Sequence, residues 1–303
     1  MKKLALGGQA VIEGVMIKSN SYIAIAARKN GKIIAKSEKL GKRPFFFRWA
    51  FVRGVVNLAD LLALGIKALS WSAEQQSESN EKITKLEIAA TLLLSVGFAM
   101  LIFVVVPYFA AHLAGLREDA RPVLFNLVDG MIKVALFVLY VAAISLMKDV
   151  RRLFQYHGAE HKAVYCYENG KKLTVENAKR FSRLHARCGT SFLFIVLIVS
   201  ILLFSALPSA VAYAYPAFAK MNFLAKRAVL VSLRILMIPV IAAVGYELLK
   251  LGAKFERNFF VRILLMPGLF VQRLTTREPS SKQIEVAIRA LKEILRLEKA
   301  SRG

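Results

Sequence analysis

His157, Glu160 and His161 form an H-x-x-E-H pattern in a chain that has four histidines in all. Two imidazoles four residues apart on a helix project from one face, so both can offer a nitrogen to a single divalent cation. Glu160 beside them is placed to take a proton from a water that the cation activates. The same inverted order of zinc-binding residues occurs in one class of metallopeptidases. A catalytic zinc uses a third protein ligand and keeps one position open. His185 and Cys188, spaced His-x-x-Cys, are the candidates, with Glu13, Cys166 and Glu168 weaker ones. If His157, His161, His185 and Cys188 all bind, the tetrahedron closes and the metal is structural. If His185 caps a carbonyl and Cys188 is simply buried, there is no metal. Glu13, among glycines, is either a ligand or supporting partner of the histidines, or an exposed glutamate on a turn before the first strand.

These residues need elements to hold them at one height. A helix running from the apolar stretch 123–147 through Arg151 and His157, and ending at Asn169-Gly170, carries the first pair. Thr174 then caps a second helix through Ala178, Phe181 and His185 into the next apolar stretch. The two make an antiparallel helical hairpin over 148–188. An Asn-Gly β-hairpin at 165–174 is the local alternative.

The rest of the chain explains why such a hairpin stands on a membrane. Of 303 residues, 56% are hydrophobic and the formal net charge is +24, and the mean hydropathy is +0.49. That is more apolar surface than a soluble globule buries. About 20 apolar residues cross a bilayer, and 88–116, 123–147, 189–215 and 228–251 meet that length. Asp129 and Lys133 in the second stretch, four apart, can neutralise each other; Arg234 and Glu247 stand in the fourth. A structural ion-pair network is favoured over a transport pathway.

Lys and Arg number 15 in 1–87, 10 in 148–188 and 12 in 250–303, against 5 in the two remaining connectors. Basic loops stay inside, so both termini and the central loop are expected on the cytoplasmic side of the membrane. The run 4–16 is too polar for a cleavable signal peptide. Two cysteines, Cys166 and Cys188, make no disulfide framework.

Residues 1–43 read as a β-rich unit, because Asn30-Gly31 separates two strand-like runs, 21–28 and 32–39, with the strongest short hairpin signal. The span 44–87 carries polar residues at helical spacing in its apolar part, 45–71, and reads as one or two interfacial amphipathic helices; a fifth span is the alternative. Beyond the four-span domain 88–251, the C-terminal part 252–303 holds an interfacial segment, 255–274, broken at Pro267-Gly268. A final helix follows, capped by Ser280 or Ser281, with Ile284, Ile288, Leu291 and Leu295 on one face. That face must pack on the N-terminal unit or on a second copy of the chain. The fold class is therefore mainly α, a polytopic membrane protein with four transmembrane helices, interfacial helices and a small N-terminal β-hairpin unit.

Gly7-Gly8-Gln9-Ala10-Val11-Ile12-Glu13-Gly14-Val15-Met16, Arg53-Gly54, the run 156–162, Arg187-Cys188-Gly189-Thr190-Ser191-Phe192 and Thr275-Thr276-Arg277-Glu278-Pro279 together resemble the bacterial YqhQ-like membrane-protein family. The resemblance spans residues 6–299. Members are labelled predicted metal-dependent enzymes, which implies that His157, Glu160, His161, His185 and Cys188 matter here. Ala186 departs from the pattern, where a proline is expected.

The leading expectation is a cytoplasm-facing divalent-metal site, most simply zinc, with His157 and His161 as ligands, His185 or Cys188 as the third, and Glu160 as general base. Arg187 steadies developing negative charge, and hydrolysis is the natural reaction. Membrane lipids and an anionic or lipid-borne substrate are the expected partners. A non-catalytic scaffold or assembly factor is the alternative, and a transporter the third reading. No G-x-x-x-x-G-K-[ST] or G-x-S-x-G motif occurs. Nucleic acid is not expected, because topology explains the positive charge.

Overall fold

The computed structural model describes residues 4, 6–41, 44–77, 84–118, 120–185, 187–255 and 258–301. The N-terminal unit is a four-stranded antiparallel meander: β1 (Gly7–Val11), β2 (Gly14–Lys18), β3 (Tyr22–Lys29) and β4 (Lys32–Lys39). The hairpin expected at Asn30-Gly31 is there, with φ of 49° and 78° at its turn. The preceding hairpin is an addition to that reading. Its two-residue turn puts Glu13 at φ 55°, a left-handed conformation supplied without an Asn-Gly pair.

Ten α-helices follow among the described residues. They are α1 (Val52–Gln76), α2 (Lys85–Met100), α3 (Val106–Leu113), α4 (Pro122–Ile144), α5 (Lys148–Glu168), α6 (Val175–Lys179), α7 (Gly189–Ala214), α8 (Phe223–Lys254), α9 (Phe259–Thr275) and α10 (Ser281–Ala300). A π-helical stretch, Leu101–Val105, joins α2 to α3 into one rod. Among the described residues, four helical segments are long and apolar enough to cross a membrane: Leu86–Leu113, Pro122–Ile144, Gly189–Ala214 and Phe223–Gly252.

Strand alternation sends side chains to both faces of the sheet, and both faces are covered. Val15, Ile17, Ala24 and Ala26 pack with Tyr156, Ala159 and Ala163 of α5 and with Ile284, Ile288 and Leu291 of α10. Val11, Met16, Ile23 and Ile25 pack on Ala68 of α1. The apolar face of α10 thus has its partner within the chain. Its start is fixed by Ser280 and Gln283 in a reciprocal capping box.

Three readings of the central loop are corrected. The chain is not one helix from 123 through His157: Met147 is extended, and α5 starts afresh at Lys148. The second arm of the hairpin is short. Thr174 caps α6 as expected, but α6 ends at Lys179, and 180–185 is irregular because its backbone bonds to side chains instead. The alternative β-hairpin at 165–174 does not form either; α5 runs to Glu168 and Gly170 follows at φ 68°.

Likewise α9 is continuous across Pro267. Proline costs that helix one backbone bond, and packing on α7 holds it, with Gln272 Nε2 donating to Ser191 Oγ at 2.6 Å. Of the residues behind the expected break, Arg257 lies outside the described residues, as do the side chains of Phe260, Arg262, Leu264 and Leu265.

The charges inside the apolar helices are paired. Asp129 bonds Lys133 on the same helix, Glu247 bonds Arg53 of α1, and Arg234 reaches Asn126 Oδ1 at 3.0 Å and Glu118 Oε1 at 3.3 Å.

Candidate metal centre

The apolar face of α5 is held down by the sheet and α10, so its other face, with His157, Glu160 and His161, meets the irregular residues 180–185, Cys188 and the strap 275–279 between α9 and α10. The strap crosses the helix at Gly158, where a Cβ would stand 2.2 Å from the Arg277 carbonyl oxygen. Only glycine permits that approach. The Arg277 amide closes the crossing by donating to the Phe154 carbonyl at 2.9 Å.

Both imidazoles are oriented by backbone. His157 Nδ1 stands 2.8 Å from the Thr275 carbonyl, and His161 Nδ1 bonds the Arg183 carbonyl. A carbonyl only accepts, so each Nδ1 carries a proton, and Nε2 is the nitrogen that each ring can turn to a cation by giving up any proton of its own. Those two nitrogens converge with the sulfur of Cys188, and the three donor atoms lie within 4.8 Å of one another. His157 Nε2 is 3.2 Å from Cys188 Sγ. In a tetrahedral zinc site such atoms stand about 3.3–3.6 Å apart, so the distance between His157 and Cys188 fits a shared cation. Two imidazoles, each donating its Nδ1–H to a backbone carbonyl, plus one thiolate make a donor set that suits zinc.

Cys188 is delivered by the start of α7, as the N-cap whose sulfur accepts from the Thr190 amide at 3.4 Å. The segment before it is pinned by Gln272 of α9, which accepts from the His185 amide at 2.8 Å and donates to the His185 carbonyl at 2.9 Å. Arg183 bonds Thr276 in the strap. Gln272 was not singled out by the sequence reading. Its signal is a lone amide in the apolar run 259–274, one turn before the Thr275–Thr276 pair.

Glu160 is 5% exposed and places Oε2 3.5 Å from His161 Nε2. Gly8 of β1 leaves room for that carboxylate. Burial alone pushes the His161 imidazole down, but the Cys188 thiolate and the Glu160 carboxylate outweigh it and hold His161 up at about 9. Burial also pushes the Cys188 thiol up, and the charges of His157 and His161 reverse this, holding it well below the ordinary thiol value. The sulfur is thus a thiolate, the form that binds metal.

The remaining candidates lie elsewhere. His185 is not among the three converging residues. Its Nδ1 accepts from the Arg187 amide at 3.2 Å, and its Nε2 donates to Glu168 Oε2 at 3.2 Å. Arg187, expected to face developing charge, bonds the same Glu168 carboxylate. Burial raises Glu168, and His185 and Arg187 more than offset this. Cys166 is packed in the core under α10, with its sulfur 3.4 Å from the Lys172 carbonyl. Glu13 bonds Arg152 and accepts from the Tyr156 hydroxyl at 3.2 Å, one turn from the histidines. Ala186, the departure from the family pattern, lies outside the described residues.

Comparison with known proteins adds a family without an activity. Residues 49–297 match the family described as "Protein of unknown function (DUF1385)". The "Uncharacterized protein YqhQ" of Bacillus subtilis (strain 168) is 33% identical over 98% of this chain and 94% of its own length. No solved structure matches the chain at a significant level.

Proposed function

The chain belongs to the DUF1385 family, and we propose that it is an integral protein of the bacterial inner membrane carrying a divalent-metal centre on its cytoplasmic side, with metal-dependent hydrolysis as its chemistry. Four helical segments of spanning length support the membrane reading. The side with the sheet, α5 and α10 is cytoplasmic because the segments expected there carry 37 basic and 16 acidic residues.

The observation that carries the metal reading is the convergence of His157 Nε2, His161 Nε2 and Cys188 Sγ, with both Nδ1 atoms committed to backbone carbonyls. Those three residues would hold the cation. A bound divalent cation lowers the pKa of water beside it and polarises an acyl or phosphoryl oxygen. Glu160 holds its carboxylate beside His161 and accepts the proton that the attacking water gives up, and the strap and Gln272 keep the donors from drifting. The basic surface beside the inner leaflet favours an anionic or lipid-borne substrate.

One observation favours a second reading. His161 and Cys188 are 3% and 4% exposed, and so closed a cluster suits a structural cation that staples α5, α7 and the strap into a scaffold. Glu160→Gln separates the two, because glutamine keeps the shape and loses the base. In the hydrolase reading this variant keeps wild-type metal content and fails to complement a deletion strain. Full complementation by Glu160→Gln, with failure of Cys188→Ala, would leave the scaffold standing.

A further inference from the structure

The described residues of 40–76 leave the sheet and come back to it. At one end the Leu40 amide donates to the Ser21 carbonyl at 2.7 Å. At the other, the Ile12 amide donates to Ser72 Oγ at 3.1 Å, and Gln76 Nε2 donates to the Arg28 carbonyl at 3.0 Å. Between these anchors the partners change from the sheet to the apolar helices. Leu61 lies 3.8 Å from where a Gly189 side chain would begin, Leu58 packs with Phe192 and Tyr246, and Gly54 stands where a Cβ would come within 2.9 Å of Ala243.

Those contacts set a depth. Gly189 is the first residue of the third apolar helix. From Leu61 back to Gly54 and Phe51, α1 descends beside α7 and α8 by about 10–15 Å at 1.5 Å per residue. Half of a bilayer's hydrocarbon core is about 15 Å. At the bottom the chain reverses tightly: the Val52 amide donates to the Ala50 carbonyl at 2.8 Å, with Phe51 at φ 66° and ψ −50°. This is a γ-turn of the rare positive-φ kind.

The tip is aromatic and uncovered. Phe45 is 73% exposed and Trp49 58%, and the Phe45 ring stacks edge-on with both Phe46 and Trp49. Arg53 and Glu247 form a closed charge pair at this level: Arg53 Nε donates to Glu247 Oε1 at 2.7 Å, and the Phe51 amide points at the same oxygen at 3.4 Å. Neutralisation of that kind makes charge tolerable below the headgroups.

We infer that residues 45–54 form a re-entrant wedge, inserted from the cytoplasmic side into the cytoplasmic leaflet, with its aromatic rings against phospholipid acyl chains and the headgroup boundary. The inference rests on the proposed four-span arrangement. It replaces both earlier options for this stretch, since the segment neither crosses the bilayer nor lies flat on it. It also gives intramembrane Glu247 its partner.

Tryptophan quenching tests it, because Trp49 and Trp71 are the chain's two tryptophans. Trp71 packs at the sheet, far up α1. The full chain is reconstituted into phosphatidylcholine and phosphatidylglycerol vesicles, with or without brominated acyl chains. Trp71→Phe leaves Trp49 to report, Trp49→Phe leaves Trp71, and Leu202→Trp in a chain lacking both reports on the outward side of α7, where Leu202 is exposed. The wedge predicts that bromolipid lowers Trp49 emission at least twofold and leaves Trp71 emission nearly unchanged, with the α7 reporter quenched as strongly as Trp49. Trp49 quenched no more than Trp71, beside a quenched α7 reporter, overturns the wedge alone. An unquenched α7 reporter overturns the four-span arrangement and the wedge with it.

Discussion

His157 Nδ1 bonds the carbonyl of Thr275 at 2.8 Å, across 118 positions of the chain. The bond makes the strap between α9 and α10 part of the candidate centre. It selects the imidazole tautomer that leaves Nε2 free, and it ties the helix with the H-x-x-E-H residues to α9, which packs on α7, the helix that brings Cys188.

Gly158→Ala tests that tie. Its Cβ would meet the Arg277 carbonyl, a backbone atom that cannot step aside. We expect thermal unfolding in detergent to show a loss of about 1–3 kcal/mol, as overpacking does, together with a reduced metal content. Gly97→Ala, at a helix position with nothing within 4 Å, gains up to about 1 kcal/mol from helix propensity. Equal effects at the two sites would show that the strap does not press on α5.

The metal-free protein has a pH signature. A group whose folded pKa is raised stabilises fully below its unfolded pKa and loses that contribution as pH rises through the folded value. His161 is raised to about 9 from an ordinary 6.5, and Cys188 is held well below its ordinary 9. Between pH 6.5 and 9 the folded and unfolded pairs therefore hold the same number of protons, the two contributions oppose each other, and chelator-treated protein should melt at a nearly constant temperature. The thiolate itself is read from its ultraviolet absorbance, present in the wild type at pH 6.5 and lost in Cys188→Ser; no thiolate absorbance in the wild type would refute the thiolate–imidazolium pairing.

Arg53 and Glu247 should behave as a unit. Glu247→Ala or Arg53→Ala leaves one charge at membrane depth and costs on the order of 3 kcal/mol, whereas removing both together costs less than either alone. Unfolding of the three variants in bilayer-like micelles gives the comparison, and additive losses would argue against the pairing.

Much of this arrangement is written where the signal is local. The four apolar helices follow from length and hydropathy alone, the β3–β4 hairpin from Asn30-Gly31, and the start of α10 from Ser280 and Gln283. What the sequence concealed depends on distant partners. The β1–β2 turn uses Glu13 at positive φ, a conformation no residue type there announces. The expected helix through His185 fails because the Arg183 carbonyl goes to His161 and the His185 amide to Gln272.

The choice between His185 and Cys188 was likewise beyond spacing. Both lie near the start of α7, and Glu168, at the end of α5, draws His185 away. Pro267 signalled a break, yet packing of α9 on α7 holds the helix through it. The 45–71 stretch had a readable composition, but its tilt into the apolar helices is set by contacts with Ala243 and Glu247.

The central claim is that His157, His161 and Cys188 hold a divalent cation. Elemental analysis of the detergent-purified full chain tests it most directly. The account predicts about one zinc, or one manganese or iron, per chain, lost in His157→Ala, His161→Ala and Cys188→Ala and retained in His185→Ala. A metal-free wild type that stays metal-free on titration with zinc, or a metal content unchanged in the three ligand variants, would contradict it.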